Sequence, residues 1–218
     1  MTGLVLDHLR VTKDGTALVA LDLAVAPGEV VTIMGPSGSG KSTALAAILG
    51  VLGPEFRLSG RILLDGEDVT PLPTRARRIG LLFQDDILFP HLSVGSNLAF
   101  ALPSQIRGRV ARRQAVETAL DQAGLSGYAD RDPATLSGGQ RARVSLMRAL
   151  LAEPHALLLD EPFSRLDADL RARMRTFVVD QIRARRLPAL LVTHDREDAL
   201  AAAGRILDPL GHEPDPSR

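Results

Sequence analysis

No part of the chain restricts its fold as tightly as the stretch Gly35-Pro36-Ser37-Gly38-Ser39-Gly40-Lys41-Ser42-Thr43. It satisfies the pattern G-x-x-x-x-G-K-[ST], with Gly35, Gly40, Lys41 and Ser42 at the fixed positions. Glycines allow the sharp turns that point successive N–H groups into one concavity, and the positive end of a following helix adds to the attraction for phosphate oxygens. A lysine ammonium at Lys41 suits the β- and γ-phosphates of a triphosphate, and a hydroxyl at Ser42 suits Mg²⁺. The flanks have the order that the motif requires. Glu29 to Met34 reads as a short apolar strand, and Lys41 to Leu49 reads as a helix ending at Gly50, with Leu45, Ile48 and Leu49 at helical spacing. A nucleoside triphosphate is the expected ligand, and the motif alone names no reaction.

The chain has 218 residues, 45% of them hydrophobic, which suits one sizeable α/β domain or a core with a small inserted subdomain. Apolar runs such as Ala156 to Leu159 and Ala189 to Val192 are far too short to span a bilayer. No basic region followed by an apolar block opens the chain, so a secretory signal is not expected. Cysteine is absent, which excludes disulfides, zinc–thiolate sites and thiol nucleophiles. The formal net charge is zero and aromatics are 3% of the residues, so neither a generic electrostatic affinity for nucleic acid nor a base-stacking surface is expected. The polar, proline-rich end, Gly211 to Arg218, is expected to be disordered.

Leu4 to Val11 and Leu18 to Val25 read as strands joined through Asp14-Gly15, and Ser59 to Leu64 and Ile79 to Phe83 as further strands. From Asp85 to about Ala134 strand-like runs stop. Val94 to Leu102 and Val110 to Ala123 read as helices, the second with Val116, Ala119, Leu120 and Ala123 on one face. A helix is then expected from Ser137 to Ala152, a strand from Ala156 to Asp160, and a helix from Asp167 to Arg185. A strand from Ala189 to Thr193, a helix from Asp195 to Ala203 and a weak strand from Arg205 to Leu207 complete the reading. The fold class is therefore α/β: a mainly parallel sheet with helices on both faces, antiparallel strands at the N-terminus, and an inserted helical subdomain. The expected division is a single domain over 1–208, with a core at about 1–84 and 136–208 and the helical subdomain at about 85–135, followed by a tail over 209–218. In such a sheet ligands lie beyond the carboxyl ends of the strands, and Gly35, Gln84, Asp160 and His194 all fall just past such ends.

Asp160 and Glu161 place two carboxylates at the end of an apolar strand. Strand alternation would separate their directions, so that Asp160 supports the Mg²⁺ shell and Glu161 acts as general base on a water. An acidic pair can also serve only to begin a helix. Leu136-Ser137-Gly138-Gly139-Gln140 opens a helix with a hydroxyl and two bare amides, which fits either a second anion-binding helix start or a plain N-cap.

The run LSGGQRARVSLMRALLAEPHALLLDEPFSRLDADLR, following GPSGSGKST, resembles the nucleotide-binding subunits of ATP-binding-cassette (ABC) transporters over about Leu4 to Ile206. The resemblance implies a P-loop NTPase core that binds ATP and Mg²⁺ and hydrolyses ATP to ADP and phosphate. Two copies would sandwich two ATP molecules head to tail. Ser137, Gly138, Gly139, Gln140 and the D-loop residue Asp167 would complete the partner's site. The resemblance implies that Gln84 senses Mg²⁺ and water, that Ser42, Gln84 and Asp160 form the metal set, and that His194 contacts the γ-phosphate. Lys41, Gln84, Glu161 and His194 would then be the catalytic group.

Within the family, Arg78 to Val94 is similar to the glutamine-loop stretch of bacterial importers fed by a solute-binding protein. It implies a groove for a permease's coupling helix, with Ile87, Leu88, Phe89 and Pro90 as apolar lining or as buried packing. Phe163 to Asp167 resembles the iron, sulfate, spermidine and thiamine importer cluster. The expected function is uptake of a small solute, powered from the cytoplasmic face of the bacterial inner membrane through a separate permease. Exporters or lipid-extracting ATPases of the same fold are the alternative, and a soluble ABC ATPase acting on nucleic acid or ribosomes a more remote one. Two features depart from the family pattern. No aromatic precedes Phe56 to stack on adenine, which leaves apolar residues near Val11 as the expected packing surface, and no C-terminal regulatory domain follows Ile206. The arginines Arg107, Arg109, Arg112 and Arg113 suit a solvated face or contact with a permease or lipid headgroups.

Overall fold

The computed structural model describes residues 3–213. These form two compact units, one made of residues 3–81, 155–161 and 175–213, the other of 82–154 and 162–174. The second contains the expected helical segment 85–135 and also takes in 136–154 and 162–174.

In the first unit, β1 (Leu4–Lys13) and β2 (Thr16–Val25) form a hairpin. Asp14 and Gly15 between them have φ of 50° and 78°, the two positive values of a type I′ turn, whose twist matches that of the strands. β4 (Phe56–Leu64) pairs antiparallel with β1, and the two-residue β5 (Glu67–Asp68), which no periodicity marked, extends that sheet in the order β2-β1-β4-β5. The second sheet runs β6-β7-β8-β3-β9, built from β3 (Val30–Met34), β6 (Ile79–Leu82), β7 (Ala156–Asp160), β8 (Ala189–Thr193) and β9 (Ile206–Leu207). β3 is parallel to β8 and β9, and β7 is parallel to β8. β8 is buried at all five positions, as expected of a strand covered on both faces.

Helix α1 (Lys41–Leu49) contacts β1 and β2 of one sheet and β7 and β8 of the other. Its Lys41, Ala44, Leu45, Ala47, Ile48 and Leu49 are all buried, so it is apolar nearly all round, as a helix covered on both sides must be. It ends at Gly50, whose N–H bonds to Ala46 O and Ala47 O. A second lock lies outside the helix. Arg77, 4% exposed, donates from Nη1 to Ala47 O (3.0 Å) and Ile48 O (2.7 Å), from Nε to Leu72 O (2.9 Å) and from Nη2 to Thr70 O (2.6 Å). A guanidinium at a helix C-terminus satisfies the last carbonyls and opposes the negative end of the dipole.

In the second unit α2 (Val94–Ala101) packs on α3 (Arg109–Gln122) and α4 (Gly138–Leu151). Val116, Ala119 and Leu120 of α3 are buried as the pattern predicts. The fully buried Asn97 pins the approach to α2: Oδ1 accepts from Phe89 N, and Nδ2 donates to Phe89 O, Leu92 O and Ser93 O. Helix α5 (Ala168–Ala184) and the short α6 (Arg196–Ala201) complete the elements. On α5 Met174, Val178 and Ile182 are buried, while Leu170 and Phe177 are only half-buried. Of the end expected to be disordered, residues 211–213 continue from a hydrogen-bonded turn in which Asp208 N donates to His212 O, and 214–218 lie outside the described residues. Among the described residues no helix is long and apolar enough to cross a membrane.

Arg77→Met removes the donors to four carbonyls while keeping bulk. Its expected cost is about 3 kcal/mol, since buried acceptors lose charge-assisted partners, and urea unfolding of the purified chain checks it.

Candidate functional site

Three parallel strands of the first unit end side by side. Met34 is in register with Thr193, and Asp160 with Val192, so β3, β7 and β8 deliver the phosphate loop, the carboxylate pair and His194 to one edge. Two backbone bonds tie these exits together: Gly35 N donates to Thr193 O (3.4 Å) and Glu161 N to Val192 O (2.9 Å).

Gly40 closes the loop with φ 102°, and a Cβ there would lie 2.5 Å from Leu18 O, so only glycine fits both the backbone and the approach to β2. α1 then begins without a side-chain cap and without an acidic residue in its first turn, leaving its first N–H groups directed at the loop. Lys41, 6% exposed, donates to Gly35 O (2.7 Å) and Pro36 O (2.9 Å), and its Nζ is 3.9 Å from Glu161 Oε1. An ammonium held by two neutral carbonyls and a distant carboxylate is preorganised for stronger anionic oxygens. Ser39 Oγ is buried without a hydrogen-bond partner inside the same loop. A buried hydroxyl is rarely left so, and a phosphate oxygen would satisfy it.

Asp160 ends β7, but Glu161 does not continue the strand. Its φ is 45°, a left-handed conformation rare for a residue with a side chain and worth about 1–3 kcal/mol of strain. The two carboxylates are thus separated by a turn rather than by the strand alternation expected from the sequence. Glu161 Oε2 is 3.1 Å from His194 Nδ1, so Glu161 lies between Lys41 and His194. The His194 side chain is 55% exposed and that of Glu161 18%. Asp160 is held above the usual carboxylate range, first by burial and then by the charge of Glu161, with Lys41 opposing both. Asp160 and the exposed Ser42 offer hard oxygen donors, the chemistry that suits Mg²⁺.

The second unit carries the other expected residues. Gln84 Nε2 donates to Ser164 Oγ (3.2 Å), and Arg165 ion-pairs with Asp85. Ser137 and Gln140 form a reciprocal capping box at the start of α4: Ser137 Oγ accepts from Gln140 N (3.3 Å) and Gln140 Oε1 from Ser137 N (2.9 Å). The cap uses Ser137 as an acceptor and leaves its O–H proton free to be given elsewhere. Gln140 Nε2 also reaches Tyr128 Oη at 3.4 Å. Asp167 Oδ1 accepts from Leu170 N at the head of α5. A groove of about 480 Å³ lies beside Gln84, with Ile87, Leu88, Pro90, Pro133 and Arg141 among its walls. Of the two roles open to Phe89, lining or packing, it takes the second, edge-on against Phe100 at 5.0 Å. Of the apolar residues near Val11, Val11 itself is fully buried, while its neighbour Leu18 in the hairpin is partly buried and its carbonyl would lie 2.5 Å from a Cβ at Gly40.

The ABC transporter family model matches residues 18–164. The chain belongs to the ABC transporter family. It is 51% identical over 191 residues to an uncharacterized ABC transporter ATP-binding protein, YnjD, of Escherichia coli (strain K12), covering 88% of this chain and 87% of the relative. It is 45% identical over 192 residues to the Fe(3+) ions import ATP-binding protein FbpC of Rhizobium etli, covering 88% of this chain and 54% of that protein, about half its length. Among solved structures, cbiO1 of Clostridium perfringens, part of the ABC transporter complex cbiONQ, superimposes with a TM-score of 0.81 at 28% identity, over 95% of this chain and 85% of that one. ATP binding and hydrolysis follow from membership, and the two sheets with their helices are those of an ABC ATPase. The span matched by the family model takes in the phosphate loop, the glutamine stretch, the Ser-Gly-Gly-Gln helix start and the carboxylate pair.

Because the folded-state pKa of Asp160 is raised, the native chain binds that proton more readily than the unfolded chain does. Its contribution to stability is therefore greatest at low pH and falls as pH rises from about 4, the unfolded value, through the raised native value. Asp160→Asn should melt a few degrees higher than the parent at neutral pH in EDTA, with the gain shrinking toward pH 4, as followed by scanning fluorimetry.

Proposed function

We propose that the chain is the ATP-hydrolysing subunit of an importer, driving uptake of a small solute through a separate membrane permease. The observation that carries the reading is the triangle Lys41–Glu161–His194 at the ends of adjacent strands, with Glu161 3.9 Å from one and 3.1 Å from the other. Lys41 exchanges its carbonyl partners for β- and γ-phosphate oxygens, and the uncapped start of α1 with Ser39 Oγ holds the same groups. His194 donates to the γ-phosphate. Glu161 accepts a proton from the attacking water, and the γ-phosphoryl passes in line to that oxygen, leaving ADP and phosphate. Bound Mg²⁺ would be held by Ser42 and Asp160 and would neutralise charge on the leaving phosphates. The part proposed for Gln84 rests on its place in the sequence pattern. Leu18 is the proposed apolar neighbour of the adenine ring.

Ser137, Gly138, Gly139, Gln140 and Asp167 are proposed to complete the site of a second copy, giving an isologous pair with two shared sites. The groove at Ile87, Leu88 and Pro90 is the proposed seat of a permease segment. The resemblance to an iron-import ATPase supports the direction of transport and a working place on the cytoplasmic face of the bacterial inner membrane, with a solute-binding protein outside.

Glu161→Gln is expected to keep ATP affinity, lower turnover by about 10²-fold or more, and accumulate an ATP-bound dimer in size-exclusion chromatography. Turnover at the parent rate removes Glu161 from the base position. A mixture of Ser137→Arg chains with Lys41→Ala chains tests site sharing. Random pairing makes half the dimers mixed, each with one intact site, so about a quarter of parental ATPase activity should return. No recovery counts against pairing head to tail.

A further inference from the structure

His194 is more than half exposed, while Thr193 and Asp195 on either side of it are held by side-chain hydrogen bonds. Thr193 is 1% exposed, and its Oγ1 accepts from Asp195 N at 3.0 Å, closing a small ring around the His194 backbone. The same hydroxyl donates to Asp198 Oδ2 at 3.3 Å. Asp198 is 2% exposed, and its other oxygen accepts from Arg175 Nε at 2.5 Å. Asp195 Oδ1 caps α6, accepting from Glu197 N (2.8 Å) and Asp198 N (3.2 Å), and lies 3.8 Å from Arg175 Nη2. Arg175, whose side chain is 12% exposed, also reaches Glu197 Oε2 at 3.3 Å.

A solvent-facing imidazole has few packing contacts of its own to fix it, so its position is set by its backbone. Here that backbone is enclosed by a continuous chain from Arg175 through Asp198 and Thr193 to Asp195. A buried charged pair is seldom the most stabilising solution for an interior position, since hydrophobic residues of similar volume often do as well or better; its better-attested use is to specify one arrangement. Arginine suits the task because a planar fork grips several oxygens in fixed directions.

We propose that Arg175 is a positioning residue for ATP hydrolysis. It holds Asp198 and Asp195 so that the turn between β8 and α6 presents His194 Nδ1 to Glu161 Oε2. The proposal rests on the reading of His194 given above. Arg175 acts only through the histidine.

The test uses the full chain and its variants. Arg175→Gln is expected to lower kcat about tenfold or more with KM for ATP within about twofold, because a small misplacement costs rate rather than binding. Arg175→Lys should recover part of the rate, since a single ammonium can hold Asp198 but not Glu197 as well. The ring signals of His194 in ¹⁵N–¹H spectra should shift in Arg175→Gln. In a His194→Ala background Arg175→Gln should cause no further loss, since both changes remove one device. Equal slowing of the parent and of His194→Ala by Arg175→Gln overturns the proposal, as do unchanged ring signals. His194→Ala at the parental rate would instead sink the role of the histidine, whatever Arg175 does. If Arg175→Gln does not fold, Asp198→Asn and Arg175→Lys, which keep a hydrogen bond at the centre of the chain, are read against the same criteria.

Discussion

Everything in the first unit depends on where helix α1 is held. A loop that grips phosphate with backbone N–H groups is only as rigid as the helix that begins there. α1 is covered by β1 and β2 on one side and by β7 and β8 on the other. Its C-terminus is closed twice, by Gly50 and by the four-carbonyl grip of Arg77. What is left unsatisfied is the N-terminal end, where no side chain caps the helix. The fold thus fixes one end of a dipole and leaves the other, positive end for a ligand.

The same economy appears at the strand ends. Parallel strands in register bring their last residues to one line, so side chains separated by well over a hundred positions meet without any loop having to be long. Glu161 then departs from the pattern. A left-handed backbone is unfavourable for it, and strain of that kind persists only where the surroundings over-determine it. The reward is a carboxylate that faces Lys41 and His194 together, a direction that an extended residue following Asp160 would not have.

Much of this was legible in the chain. The phosphate loop, Asp160 and Glu161 stood out because their chemistry needs particular residue types at strand ends, and His194 took its role from the resemblance to the family. Helices such as α3 showed themselves through the spacing of Val116, Ala119 and Leu120. Other features left no local trace. Nothing in the local sequence singles out Arg77, Asn97 or Arg175. Each is defined by oxygen atoms supplied from other elements, and no periodicity records that. Alternation likewise marked β1 as a strand without saying that Val11 itself would be fully buried.

The sequence by itself determined the ligand class, the α/β architecture and the family, since these depend on residue types at short, fixed separations. Tertiary structure decided which charges are neighbours. The contact of Glu161 with His194 and the chain from Arg175 through Asp198 and Thr193 to Asp195 join different elements, and the burial of the Ser39 hydroxyl comes from the packing around the loop. Electrostatic and hydrogen-bond energies depend on distances of a few ångströms, and only the packing of α1 and the register of β3, β7 and β8 set those distances.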